Sequence, residues 1–141
     1  MSVEANKALV RRLVEEVWNR ESRAATEELL LPERVDRQLA IVAWARSSRP
    51  DLHYTIDDIF AEGDRVAIRY TSSGTHTAPW THPDTGPIAP TGKRVTNTAI
   101  NIFRLADGKI VEFWEESNRL GLFQQLGATL QPPAAPDPPS S

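Results

Sequence analysis

Three glutamates surround a tryptophan in the segment EFWEESNRLGLFQQLG, residues 112–127. A glutamate buried beside an indole loses hydration of its ionised form, which raises its pKa and suits it to general acid or base catalysis near neutral pH. Alternation along this strand-like segment predicts two faces, one with Ile110, Glu112, Trp114 and Glu116 and the other with Val111, Phe113 and Glu115. Glu112 and Glu115 are also well explained as solvated strand residues. Glu116, next to the end of the sheet, is the candidate catalytic carboxylate.

Three further polar residues are candidates for the same chemistry. Asn118 directly precedes an apolar helix that it can cap, and its neutral amide can orient a carbonyl group but cannot act as a base. Arg69 stands in the middle of a strand, where it can hold a carboxylate or an enolate if it points inward and only solvates the sheet if it points outward. His76, at a strand end, is placed to act as a general acid or base near a cavity mouth, or to lie on the surface.

The histidines do not predict a metal centre. His76 and His82 flank a Pro-rich loop with Asp84 close behind, but this loop has no helical or hairpin spacing that would set the geometry of metal ligands. Six aromatic residues are candidate substrate-binding groups, although plain core packing is the favoured interpretation of the four tryptophans among them. If the interior is not filled, they line a cavity suited to flat, apolar substrates; they are Trp18, Trp44, Tyr54, Trp80, Phe103 and Trp114.

Composition limits the class of protein. The 141 residues are long enough for one domain, and the net charge of -3 with no basic stripe argues against nucleic acid as the main partner. The absence of cysteine excludes disulfides and thiolate chemistry. We expect a cytoplasmic protein, because the charged N-terminus does not resemble a signal peptide and no run of about 18 apolar residues could span a membrane. Residues 1–130 are predicted to form the domain, and the Pro-rich residues 131–141 a flexible tail.

Periodicity predicts helices first and strands afterwards. Helical spacing runs from a cap at Ser2 to Trp18, then over about 22–31, and from Pro32 to about residue 47. Alternating runs begin at residues 52 and 66, on either side of a turn at 62–64, and continue over 95–105 and 110–116 around Asp107-Gly108. A short helix over 120–126 ends at Gly127. This order predicts an α+β architecture with helices on one face of an antiparallel sheet.

The chain resembles the SnoaL-like polyketide cyclases, within the wider nuclear-transport-factor-2-like fold. The matching blocks are NKALVRRLVEEVWNR, AEGDRVAIRYTSSGTHT and PTGKRVTNTAINIFRLADGKIVEFWEESNRLGLFQQLGA. The resemblance implies a cone-shaped, strongly curved antiparallel sheet packed on the N-terminal helices, with a short C-terminal helix and a pocket inside the cone. It also implies a small hydrophobic, polyketide-like substrate and a homodimer formed through the sheet.

Family cyclases close a ring by an intramolecular aldol reaction without cofactor or metal, which is the function that the resemblance implies here. Their catalytic carboxylic acid, commonly an aspartate, matches Asn118, and a strand with an Asp-His pair is missing before the third helix. The loop at residues 80–90 is longer than usual. Three functions therefore stay open: a cyclase that moves protons through Glu116 or His76, a cyclase that mainly shapes its substrate, and a non-catalytic binding protein.

Overall fold

The computed structural model describes residues 2–134, which form helices packed on one antiparallel sheet. This confirms the predicted α+β class and the order of its elements. The helices are α1 (Val3–Arg12), a π-helical segment (Leu13–Trp18), α2 (Arg23–Leu29), α3 (Pro32–Ser48) and α4 (Arg119–Gln125). The strands are β1 (His53–Glu62), β2 (Arg65–Thr75), β3 (Arg94–Ala106) and β4 (Lys109–Ser117).

The first helix differs from the sequence prediction in its last turns. Ser2 caps α1 as expected, with its Oγ accepting the Ala5 N–H at 3.0 Å. From Leu13 the helix widens, and the Asn19 N–H donates to the Val14 carbonyl at 2.9 Å, a spacing of five residues. The Asn19 side chain then bonds both backbone groups of Tyr54, at 2.8 and 3.0 Å. The π-helical segment therefore ties the end of the first helix to β1.

The sheet is an open meander in the order β1-β2-β3-β4, with every neighbouring pair antiparallel. Both predicted hairpin turns are present. The second one uses Asp107 at φ 52° and Gly108 at φ 75°, the left-handed conformations that a tight hairpin turn requires. One face of the sheet, called here the inner face, packs against the helices, and the other is the outer face.

A β-bulge in β4 changes which side chains share a face. Leu105 pairs with Ile110 but Arg104 pairs with Glu112, so Val111 is an extra residue in the strand. The inward positions are consequently Ile110, then Phe113 and Glu115. The prediction that Ile110 shares a face with Glu112, Trp114 and Glu116 is wrong, because simple alternation does not account for the inserted residue.

Two apolar clusters hold the domain together. The main core lies between the helices and the inner face, and its fully buried members include Val10, Val17, Leu29 and Val66. A second cluster, formed by Trp80, Val95, Leu122 and Leu126, fastens the long loop and α4 to the end of β3. Within the loop, Trp80 and Ile88 exchange backbone hydrogen bonds at 2.8 and 2.9 Å. The loop is therefore packed against the domain around Trp80.

The predicted Pro-rich tail is described only in part. Residues 131–134 are exposed and form no helix or strand, and the rest of the predicted tail, 135–141, lies outside the described residues. Across residues 2–134, no helix combines the length and apolar character that crossing a membrane requires.

Candidate active site

A cavity of about 230 Å³ opens between α3 and the inner face of the sheet. Seven aromatic side chains form part of its lining: Trp18, Trp44, Tyr54, Tyr70, Trp80, Phe113 and Phe123. A second cavity of about 430 Å³ shares part of this wall, because Trp18, Gln38, Ile41 and Phe113 line both. Phe103 lines only the second cavity. Together the two cavities combine flat aromatic walls with several polar and charged side chains, and a small-molecule site needs both kinds of group.

A tyrosine and a glutamate form the central polar pair of the first cavity. The Tyr70 hydroxyl on β2 donates to Glu115 Oε1 on β4 at 2.5 Å. Ala99 lies opposite Tyr70 on the intervening strand, and its small side chain lets the phenol reach across β3. Tyr70 is buried, whereas Glu115 is exposed. Burial, the negative charge of Glu115 and the hydrogen bond to it all raise the pKa of Tyr70 well above its ordinary value, so this hydroxyl stays protonated.

Two further aromatic rings, those of Trp18 and Tyr54, pack against the Tyr70 ring in tilted and edge-to-face arrangements. The Trp18 ring lies 5.2 Å from the rings of both Tyr54 and Tyr70, and the two tyrosine rings are 5.6 Å apart. The π-helical segment ends at Trp18, and its last turn is held by Arg46 Nη2, which donates to the Trp18 carbonyl at 2.6 Å. Burial raises the pKa of Tyr54 above its ordinary value, so the cavity carries two protonated phenols.

Arg49, just after α3, brings a buried positive charge into the cavity wall. Its residue surface is only 5 % exposed, and its guanidinium lies 5.0 Å from the centre of the Trp80 ring. Its Nε has no hydrogen-bond partner, and in the part of the chain described no carboxylate lies within 4.0 Å of the group. Burial lowers the pKa of Arg49 below its ordinary value. Sequence reasoning missed this residue, because an arginine at a helix C-terminus is ordinary and usually exposed.

Two asparagines of β3 add further unpaired polar atoms. Asn97 and Asn101 both line the first cavity, and the Oδ1 atoms of both are buried without a hydrogen-bond partner. Asn101 is 2 % exposed and lies directly opposite Glu115 on β4. These carbonyl oxygens can accept hydrogen bonds from a ligand hydroxyl.

Three predicted site residues lie on the outer face instead of in the cavity. Glu116 and Trp114 pair with the exposed Ile100 and Ile102 of β3, because the bulge reverses the faces of β4. Arg69 lies opposite Ile100 on the same outer face, where its guanidinium binds Asp58 Oδ2 at 2.7 Å. This is the outward orientation that the sequence left open. The structure therefore does not bring these three residues together with the cavity.

Asn118 and His76 also lie outside the cavity lining. Asn118 caps α4, with its Oδ1 accepting the Gly121 N–H at 3.1 Å, which is the capping alternative considered from sequence. His76 is fully buried, and its Nδ1 accepts the Thr91 N–H at 3.2 Å. The two positions considered for His76 from sequence, at a cavity mouth and on the surface, therefore both differ from the buried position in the structure. Of the six predicted aromatic residues, all except Trp114 line one of the two cavities.

The predicted absence of a metal site was based on the loop around His82. In this loop the Asp84 N–H donates to His82 Nδ1 at 3.0 Å, and the ring packs against Trp44 and Phe123. Over residues 2–134, no group of three or more His, Cys, Asp or Glu side chains is arranged to hold a metal ion.

Comparison with known proteins shows the family to which this chain belongs. The family model of the SnoaL-like polyketide cyclases matches residues 8–126. The chain therefore belongs to the SnoaL-like polyketide cyclase family, and its fold is the one shared by these proteins. No curated protein matches the chain in sequence.

Three solved structures to which this chain is similar come from Streptomyces species. AclR from Streptomyces galilaeus, described as a candidate hydroxylase, is 29% identical with a TM-score of 0.78, covering 94% of this chain and 87% of AclR. TsrD from Streptomyces laurentii is 28% identical with a TM-score of 0.76, covering 92% of this chain and 99% of TsrD. IdmH from Streptomyces antibioticus, described as a candidate polyketide cyclase, is 26% identical with a TM-score of 0.75, covering 87% of this chain and 99% of IdmH.

Proposed function

We propose that the protein closes a ring in a polyketide-like substrate, with Glu115 and Tyr70 moving the protons. The observation that carries this proposal is the 2.5 Å hydrogen bond between these two side chains inside an aromatic cavity. Membership of the cyclase family supports the reaction class. A carboxylate and a phenol held together at a cavity wall can act as a base and as an acid in the same reaction.

The proposed aldol closure balances with these two groups alone. The Glu115 carboxylate accepts a proton from the carbon between two carbonyl groups, and the resulting enolate carbon bonds to a second carbonyl carbon of the same substrate. The new alkoxide oxygen takes the hydroxyl proton of Tyr70. Protonated Glu115 then returns its proton to Tyr70 through their hydrogen bond. The enzyme ends in its starting state, and no oxidant, reductant or cofactor takes part.

The aromatic walls contribute by folding the substrate. Bringing two reacting carbons of one flexible chain together removes much of the entropic barrier to ring closure. The rigid rings of Trp18, Tyr54 and Phe113 offer flat surfaces for this. These walls also support the alternative in which substrate shaping does most of the work and proton transfer contributes little.

Glu115→Gln and Glu116→Gln are a matched pair for testing the proposal. Both remove one negative charge from adjacent residues, but only Glu115 lines the cavity. We expect Glu115→Gln to lower the rate of ring closure about 10²- to 10⁴-fold on linear polyketone chains, followed by mass spectrometry, and Glu116→Gln to leave it unchanged. Tyr70→Phe should also slow the reaction.

Other outcomes would decide between the alternatives. Equal rates for the Glu115→Gln and Glu116→Gln variants, with a flat pH–rate profile, would favour a cyclase that works by shaping its substrate. Saturable quenching of the cavity tryptophans by polyketide-like compounds without any turnover would support a non-catalytic binding protein. Either result would overturn the proposed role of Glu115.

We also propose that the outer face of the sheet forms a homodimer. It carries large apolar side chains that remain substantially exposed: Phe60 at 67%, Ile100 at 54%, Ile102 at 39% and Trp114 at 44% exposure. An exposed apolar group of this kind usually marks an interface. Ile102→Glu should shift the protein from dimer to monomer in light scattering. Leu130→Ser, which removes an exposed apolar side chain away from the sheet, is the control, and a monomeric unmutated protein would contradict the proposal.

A further inference from the structure

Arg49 is the buried charged group of the first cavity wall, and within residues 2–134 no carboxylate pairs with it; Arg119, which also lines this cavity, is exposed. The carboxylate nearest to Arg49 in sequence, Asp51, and the carboxylate that lines the cavity, Glu115, are both engaged by other groups. Asp51 accepts hydrogen bonds from the Thr75 N–H and hydroxyl at 2.6 and 2.8 Å, and Glu115 accepts one from Tyr70. A buried cation is costly unless it is paired and hydrogen-bonded, so this arrangement calls for a counter-charge from outside the protein.

The surroundings hold the guanidinium in place and leave hydrogen-bond donors available. The ring of Trp80 lies at 5.0 Å from the guanidinium carbon and occupies one face of the group. The stem of Arg49 crosses β2 at Gly74, where an added Cβ would lie only 2.9 Å from the Cβ of Arg49. Trp80 is itself fully buried in the second cluster, so the Arg49 guanidinium that it contacts is held in position before any ligand binds.

We propose that Arg49 binds an anionic group of the substrate in which two oxygens share the charge, either a carboxylate or the enolate of a 1,3-dicarbonyl. The planar guanidinium matches such a pair of oxygens with two parallel hydrogen bonds. The proposal rests on the proposed function, because it assumes that the ligand of this cavity is the substrate.

The positions of the two charges give the substrate a direction. Glu115 is level with Asn101 on β3 and Ile68 on β2, whereas Arg49 crosses β2 at Gly74. Six residues of a strand span about 20 Å, so the two side chains approach the cavity from different ends of the sheet. An anionic group is attracted to Arg49 and repelled by Glu115. The substrate therefore binds with its anionic end at Arg49 and its neutral carbonyl groups towards Tyr70 and Glu115.

Calorimetric titration with matched probes tests this inference without requiring turnover. One pair is naphthoate and naphthamide, and the other is the anion of a hydroxycoumarin and its neutral methyl ether. We expect the unmutated protein to prefer the anion of at least one pair by roughly 10- to 100-fold, as for a charge-assisted hydrogen bond. A preference in the first pair alone identifies a carboxylate, and in the second alone an enolate.

Variants then assign the preference to one residue. Arg49→Met should abolish it, Arg49→Lys should keep part of it because the charge remains, and Arg69→Met on the outer face should leave it unchanged. Circular dichroism shows whether Arg49→Met folds, and Arg49→Lys decides if it does not. Equal binding of anion and neutral probe by the unmutated protein, no binding of either anion, or a preference retained in Arg49→Met would overturn the inference. The Glu115→Gln variant should keep the preference, so Arg49 and the proton-transfer proposal can fail separately.

Discussion

Replacing Tyr70 with phenylalanine removes the hydroxyl that donates to Glu115 and leaves the ring in place. A hydrogen bond to a charged group contributes about 1.5–3 kcal/mol to stability. Tyr70 is 5 % exposed, but Glu115 is open to solvent, and screening reduces what the pair contributes. We therefore expect a coupling energy of about 1 kcal/mol between Tyr70→Phe and Glu115→Gln in the free energy of unfolding.

The assay is urea unfolding of the unmutated protein, both single variants and the double variant. Far-ultraviolet circular dichroism is the appropriate signal, because Trp18 lies 5.2 Å from the Tyr70 ring and its fluorescence would respond to the substitution itself. A second cycle that pairs Tyr70→Phe with Glu116→Gln is the control and should give a coupling energy within about 0.5 kcal/mol of zero. Equal coupling in both cycles would refute the assignment of Glu115 to the inner face.

Three further predictions concern packing and protonation. Gly74→Ala should lower the free energy of unfolding by about 1–3 kcal/mol in urea titrations, because its Cβ would overlap Arg49; an unchanged value would contradict this contact. Burial lowers the pKa of His76, so as the pH falls below 6.5 the unfolded chain takes up the proton before the folded protein does. The free energy of unfolding should therefore drop more steeply below pH 6.5 in the unmutated protein than in His76→Asn. Parallel plots of the free energy of unfolding against pH for the two proteins would contradict this prediction. Burial raises the pKa values of Tyr54 and Tyr70, so their contribution to the free energy of unfolding is complete below about pH 10 and decreases as the pH rises further. In a titration to high pH, the phenolate absorbance of these two tyrosines should appear together with the loss of the circular dichroism signal. Phenolate absorbance from them in the folded protein would contradict the prediction.

Much of the fold could be predicted because its signals are local. Ser2 and Asn118 cap helices through their own side chains, and Asp107-Gly108 adopts the left-handed angles of a hairpin turn. Each of these depends on residues within one turn of the chain. The resemblance to the family, which the match over residues 8–126 bears out, then predicts how these elements combine in the α+β architecture. The widening of the first helix was not predicted; it occurs where Asn19 bonds to Tyr54 of β1, a residue distant in sequence.

The sequence by itself identified six aromatic residues as core or cavity groups; five of them line a cavity, whereas Trp114 is exposed on the outer face. Only the tertiary structure decided which polar groups join them. The extra residue Val111 reverses the faces of the strand that follows it, so that Glu115 lies on the inner face and Glu116 on the outer face. Arg49 lies in the cavity wall because β2 and the Trp80 loop close over it, and neither is near it in sequence. A side chain's direction depends on strand register and packing between distant segments, and residue type does not encode either.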